Sequence, residues 1–164
     1  MNSPIPNDFA ELENCYDQLL SWCDALRAVA DFLPCRIDEG LCGRISTGLL
    51  PLLLTTHQLE DRLISSGLGL IMEAGERTDA EECRRAGRLF DYGAARDIVV
   101  TLEALGEGRC RLSWEAVGYQ LCSFFCSMRR HVKSEREFMR LIKRAIEAET
   151  AVLLPAAIDQ TEAA

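Results

Sequence analysis

Four long segments of this 164-residue chain carry apolar residues at intervals of three and four, and almost nothing alternates with the period of two that a strand requires. Prolines and glycines separate the segments. A chain patterned this way has one economical solution, in which each segment is an amphipathic helix and buries its stripe against the others.

The first segment spans 8–33, opened by Asn7 or Asp8 as a cap and stopped by Pro34, with Phe9, Leu12, Tyr16, Leu19, Leu20, Cys23 and Leu26 along one face. The second spans 39–72 and carries Leu50, Leu53, Leu54, His57, Asp61, Ile64 and Leu68, with Pro51 as an expected kink and Gly67 and Gly69 weakening its end. The third starts at TDAEE, where Thr78 precedes Glu81 by three residues as in a capping box, and runs to the GEG stop at 106–108. Its stripe is Leu89, Tyr92, Ala95, Val99 and Leu102. The fourth opens near Ser113, runs to about residue 146, and aligns Val117, Phe124, Met128, His131, Glu135, Phe138 and Ile142. The organisation expected is an N-terminal arm at 1–7, one all-α domain at 8–153 folded as an up-down-up-down antiparallel four-helix bundle, and a frayed tail at 154–164.

Composition narrows the function classes. Hydrophobic residues make up 48% and charged residues 27%, which describes a globular chain. The net charge of −8 argues against a nucleic-acid partner, because phosphate contacts need clustered cations. The apolar window at 48–54 is too short to cross a bilayer, and MNSPIPNDFAELEN lacks a basic segment followed by an apolar run, so the expectation is a cytoplasmic protein without a membrane partner. In that setting most of the eight cysteines are expected to be buried apolar filler. Cys122 and Cys126 are expected on the outer face with Phe125, as filler, a redox pair or a contact surface; Trp22 and Trp114 are expected to anchor packing. No phosphate-binding loop, dinucleotide fingerprint or nucleophile elbow is present, which leaves common enzyme chemistries without support.

Both histidines of the chain precede an acid by four residues, His57 with Asp61 and His131 with Glu135. Four residues advance a helix by about 40°, so each pair projects two donors from one face, and that face is the apolar one. A buried carboxylate needs a cation or a proton. Imidazole and carboxylate suit iron, manganese or zinc, and bundle cores are where such sites are built. A metal-free core of hydrogen-bonded histidines and acids satisfies the same pattern.

TTHQLEDRLI (55–64) and RRHVKSEREFMRLI (129–142) resemble the second-helix and fourth-helix H-x-x-x-E motifs of the hemerythrin-like, or HHE cation-binding, family. The resemblance implies a hemerythrin-like bundle around a non-haem di-iron centre, with Asp61 and Glu135 bridging and His57 and His131 terminal. It also implies a role in oxygen carriage, oxygen or redox sensing, or iron handling. The family draws further histidines from its first and third helices, where this chain has Tyr16 and Tyr92. A phenolate is a ligand for ferric iron, so Tyr16 and Tyr92 are either replacement ligands or core residues with a hydrogen-bonded hydroxyl. Arg88 and Arg96, one turn either side of Tyr92, either pair with Asp61 or Glu135 or extend their heads to solvent. The leading expectation is a non-enzymatic metal-binding sensor or regulator, with a protein partner or a homodimer. The alternative is a metal-free bundle serving as an interaction scaffold, and a third reading is a di-iron oxidase or peroxidase.

Overall fold

The structure, a computed structural model, describes residues 6–158, with side chains for residues 8–152. Residues 1–5 of the expected arm and 159–164 of the expected tail lie outside the described residues. Among those described there are four α-helices and no strand: α1 (Pro6–Phe32), α2 (Glu39–Glu60), α3 (Ala74–Gly106) and α4 (Trp114–Ile158). A π-helical turn, Asp61–Ser65, continues α2, and a 3-10 turn, Leu68–Leu70, precedes α3. None of the helices is long and apolar enough to cross a membrane.

The helix ends follow local chemistry. α1 starts at Pro6, ahead of Asn7 and Asp8, and a proline in the first turn gives up an N–H that has no helical partner anyway. Asp38 caps α2 by accepting from the Gly40 N–H at 3.0 Å, and Ser113 opens α4 by accepting from the Ala116 N–H at 3.2 Å. α2 continues through Pro51. The third helix starts one turn before the expected TDAEE: the Thr78 hydroxyl donates to the Ala74 carbonyl at 3.1 Å, a bond made inside a helix, so Thr78 is not its cap. Gly108, at φ 66°, ends the run, and the Arg109 N–H reaches back to the Ala104 carbonyl at 2.8 Å. α4 outlasts its expected end near 146, because Glu147, Ala148, Glu149 and Ala151 are strong helix formers that carry it past the expected start of the tail.

α1 packs chiefly on α4, and α2 on α3. Arg129 bonds Asp24, and Arg136 bonds Glu13 and Asp17, so rising numbers on α4 meet falling numbers on α1. Thr101 with Gln120 and Asp91 with Ser127 set the same opposed register between α3 and α4. Between the helices lie Leu12 and Leu19 of α1, Ile45, Leu49 and Leu53 of α2, Ile98 and Leu102 of α3, and Leu121 and Met128 of α4, all fully buried. Each such side chain contributes about 1.5–3 kcal/mol of transfer free energy. Gly67 lets the end of α2 approach α4: a Cβ there would stand 2.8 Å from the Ile142 methyl.

The fourth-helix stripe faces inward as the spacing implies, with His131 and Phe138 partly buried and the rest buried, but two others are turned. On α2 the buried residues are Cys42, Ile45, Leu49, Leu53, Thr56, Leu59 and Glu60, so His57 sits at the margin of the stripe and Leu54 and Asp61 face outward. On α3 the inward line is Arg84, Asp91, Ala95, Ile98 and Leu102, and Leu89 is 70% exposed. Charged residues occupy the inner face there, so following the apolar residues rotates the helix the wrong way. Phe125 is likewise buried, under the Arg129 guanidinium, and is not on the outer face with Cys122 and Cys126, which are exposed. Of the cysteines, only Cys15, Cys23 and Cys42 are buried, which corrects the expectation that most are core filler. Trp22 packs over Gly48, whereas Trp114 is 45% exposed and lines a cleft with Pro34, Ile37 and Leu105.

Candidate functional site

Near the α2–α3 turn the apolar interior gives way to a polar layer drawn from all four helices. Tyr16 comes from α1, His57 and Glu60 from α2, Arg84 and Asp91 from α3, and His131 and Glu135 from α4. Glu60 and Tyr16 are fully buried, and Asp91, Arg84 and Glu135 nearly so.

His131 organises one half. Its imidazolium donates Nε2–H to Glu60 Oε1 at 2.8 Å and Nδ1–H to Asp91 Oδ2 at 3.0 Å. Burial disfavours the charged ring, but the bonds and charges of Asp91 and Glu60 outweigh it and push the pKa up to about 10. Asp91 Oδ1 accepts from the Ser127 hydroxyl at 3.2 Å, which holds the carboxylate in place. Burial pushes the Glu60 carboxyl above its ordinary range, with His131 pulling against it, and Glu60 Oε2 has no partner.

The Arg84 guanidinium organises the other half. It grips Glu135 through Nε, at 2.9 and 3.1 Å from the two oxygens, and through its second terminal nitrogen at 2.7 Å, while the first donates to Ser65 Oγ at 2.8 Å. The two side chains are 6% and 5% exposed, so this is a buried, two-pronged ion pair.

His57 faces His131 with ring centroids 5.8 Å apart. Burial, then the positive His131 and Arg88, push its pKa down to about 4, so the ring is neutral near pH 7 and Nε2 is buried without a partner. His57, Asp91 and His131 each offer a ligand atom within 4.8 Å of the others. Two imidazoles and a carboxylate converging from three helices is a donor set for a divalent transition metal.

Comparison of the chain with family models, with characterised proteins and with solved structures finds no match in any of the three. The ligand question therefore rests on the geometry alone. Asp61, expected to bridge two irons, is 60% exposed and bonds Arg88 at 2.6 Å outside the polar layer. Its inward role passes to Glu60, because the buried stripe of α2 is centred on Thr56 and Glu60. Glu135 is inside, as its position on α4 implies, but its oxygens are held by Arg84. Tyr16 is inside too. Burial first, then the Glu60 and Glu135 charges, push its hydroxyl pKa up, so it stays a neutral phenol. Tyr92 is half-buried against the core at the side of α3, while its neighbour Asp91 points in; Arg96 is exposed. A di-iron pair bridged by Asp61 and Glu135 does not fit these residues, whereas a single ion on His57, Asp91 and His131 does.

Glu60, Arg84 and Asp91 are the site residues that apolar spacing misses. A signal for the α3 pair exists: Arg84 and Asp91 are seven apart and in phase with Ala95, Ile98 and Leu102, so they lie on the same face as that apolar run. A cleft of about 380 Å³, lined by Asp61, Ser65, Glu81, Arg85 and Arg88 among others, flanks this network between the π turn and α3.

Proposed function

We propose that the chain is a non-enzymatic metal-binding module with the up-down-up-down order of a hemerythrin-like bundle, and that it holds one divalent ion on His57, Asp91 and His131. The observation that carries this reading is His57, which has a buried Nε2 without a partner and offers a ring nitrogen within 4.8 Å of ligand atoms of Asp91 and His131 on two other helices. A buried polar atom left unpaired in an ordered interior calls for an ion or water. When the ion binds, His131 gives up a ring proton and keeps one carboxylate partner, the arrangement that orients an imidazole ligand. Loading therefore releases a proton and weakens in acid. Iron in this position supplies a one-electron change of charge inside the bundle, which suits an oxygen or redox sensor or regulator acting in the cytoplasm through a protein partner or a second copy.

Protein prepared without oxygen and offered Fe(II), Mn(II) or Zn(II) is expected to retain one equivalent of ion by elemental analysis. Calorimetry is expected to register proton release on loading. His57→Ala should lose the ion and Tyr92→Phe should keep it. Failure of all three metals to reach stoichiometric binding would sink the reading.

One set of contacts favours the alternative, a metal-free interaction scaffold: Arg84 sits on Glu135 and Arg88 on Asp61, supplying positive charge from the chain itself. That reading expects wild-type protein without bound metal and His57→Leu with undiminished stability.

A further inference from the structure

The Arg84 guanidinium bonds fewer oxygen atoms than its surroundings offer. Both Glu135 oxygens and Ser65 Oγ take its donors. The Glu60 carboxylate and the neutral Tyr16 phenol lie in its neighbourhood as well. In these two fully buried, neighbouring residues, Oε2 of Glu60 and Oη of Tyr16 each lack a hydrogen bond of good geometry. A guanidinium is a planar fork that donates in one plane. A small cation accepts oxygen ligands from all directions, and two carboxylates with a phenol and a hydroxyl form a hard donor set for it. The Phe138 ring, 5.9 Å from the guanidinium carbon, adds an apolar wall that suits the flat fork.

We infer that Arg84 is a tethered cation filling a second, oxygen-lined cation site made by Glu135, Glu60, Tyr16 and Ser65. This deepens the metal reading, since it makes Arg84 the residue that limits the bundle to one ion; the second site itself does not depend on His57. With the side chain shortened, a hard divalent ion takes the place of the guanidinium.

The test is Arg84→Ala titrated with Mn(II), followed by calorimetry, electron paramagnetic resonance and thermal unfolding. In chelator this variant should melt well below wild type, because Glu135 loses its guanidinium. Mn(II) should restore most of the lost melting temperature and bind with one equivalent more than in wild type. Adding Glu135→Gln to the same chain should abolish the extra equivalent and the rescue, while recovering stability in chelator. Arg84→Lys, which keeps a tethered charge, should take up no extra ion. An Arg84→Ala protein that gains neither an equivalent nor stability from Mn(II), or that fails to fold with and without it, overturns the inference. Wild-type stoichiometry tests the other site separately: no ion in wild type but one in Arg84→Ala keeps the second site and removes the first.

Discussion

A buried charge is tolerable only while its partner stays, and Glu135 illustrates the rule. Replacing it by Ala leaves the Arg84 guanidinium 6% exposed and without its carboxylate, which should cost about 3–5 kcal/mol in urea denaturation. The double variant Arg84→Met/Glu135→Leu fills the same space with apolar atoms and should recover most of that loss. A Glu135→Ala chain within about 1 kcal/mol of wild type would mean that the pair is not buried as described. At this scale the sequence was a partial guide. His131, Glu135 and Tyr16 stand in the interior as their helical positions imply, while Asp61 and Tyr92 do not, and Glu60 and Asp91, each next to one of these two, take the inward positions. A one-residue step turns a helix by about 100°, so a small error of phase exchanges a ligand for a surface residue.

At the scale of the element, the informative feature is the π turn at Asp61–Ser65. A π turn carries one residue more than the α path, so it allows His57 and Glu60 before it, and Leu63, Ile64 and Leu68 after it, to face the core together. Deletion of Asp61 should therefore keep the fold: the turn reverts to α geometry and both inward sets stay in place, while the largely buried Arg88 guanidinium loses its carboxylate and Ser65 its bond to Asp61, so stability falls without loss of helical content. Deletion of Leu54, inside the regular part of α2, should instead swing the upstream stripe by about 100° and unfold the chain. Circular dichroism and chemical denaturation of the two deletions separate these outcomes, and equal damage from both would contradict the role given to the π turn. No residue in DRLIS announces such a turn; it arises because packing on both sides of it must be satisfied at once.

The whole molecule joins two histidines with opposite responses to pH. His57, depressed to about 4, contributes stability that is full above its unfolded value of 6.5 and is lost as pH falls towards 4. His131, raised to about 10, contributes stability that is full below 6.5 and is lost as pH rises towards 10. In chelator the urea midpoint should therefore peak near pH 6.5 and fall on both sides. His131→Gln should flatten the alkaline limb, and His57→Gln the acid limb between 6.5 and 4. A wild-type midpoint that still rises from pH 6.5 to 9 would contradict the assigned charge states. From sequence alone came the helical class, the four segments, the main stops at Pro34 and 106–108, and the presence of histidines and acids within the bundle, because periodicity and backbone breakers act locally. Only the tertiary structure decided which acids meet which cations. The phase of each helix is set by all its neighbours together, and the charges of Arg84, Asp91 and Glu60 are tolerated inside only because partners on other helices meet them there.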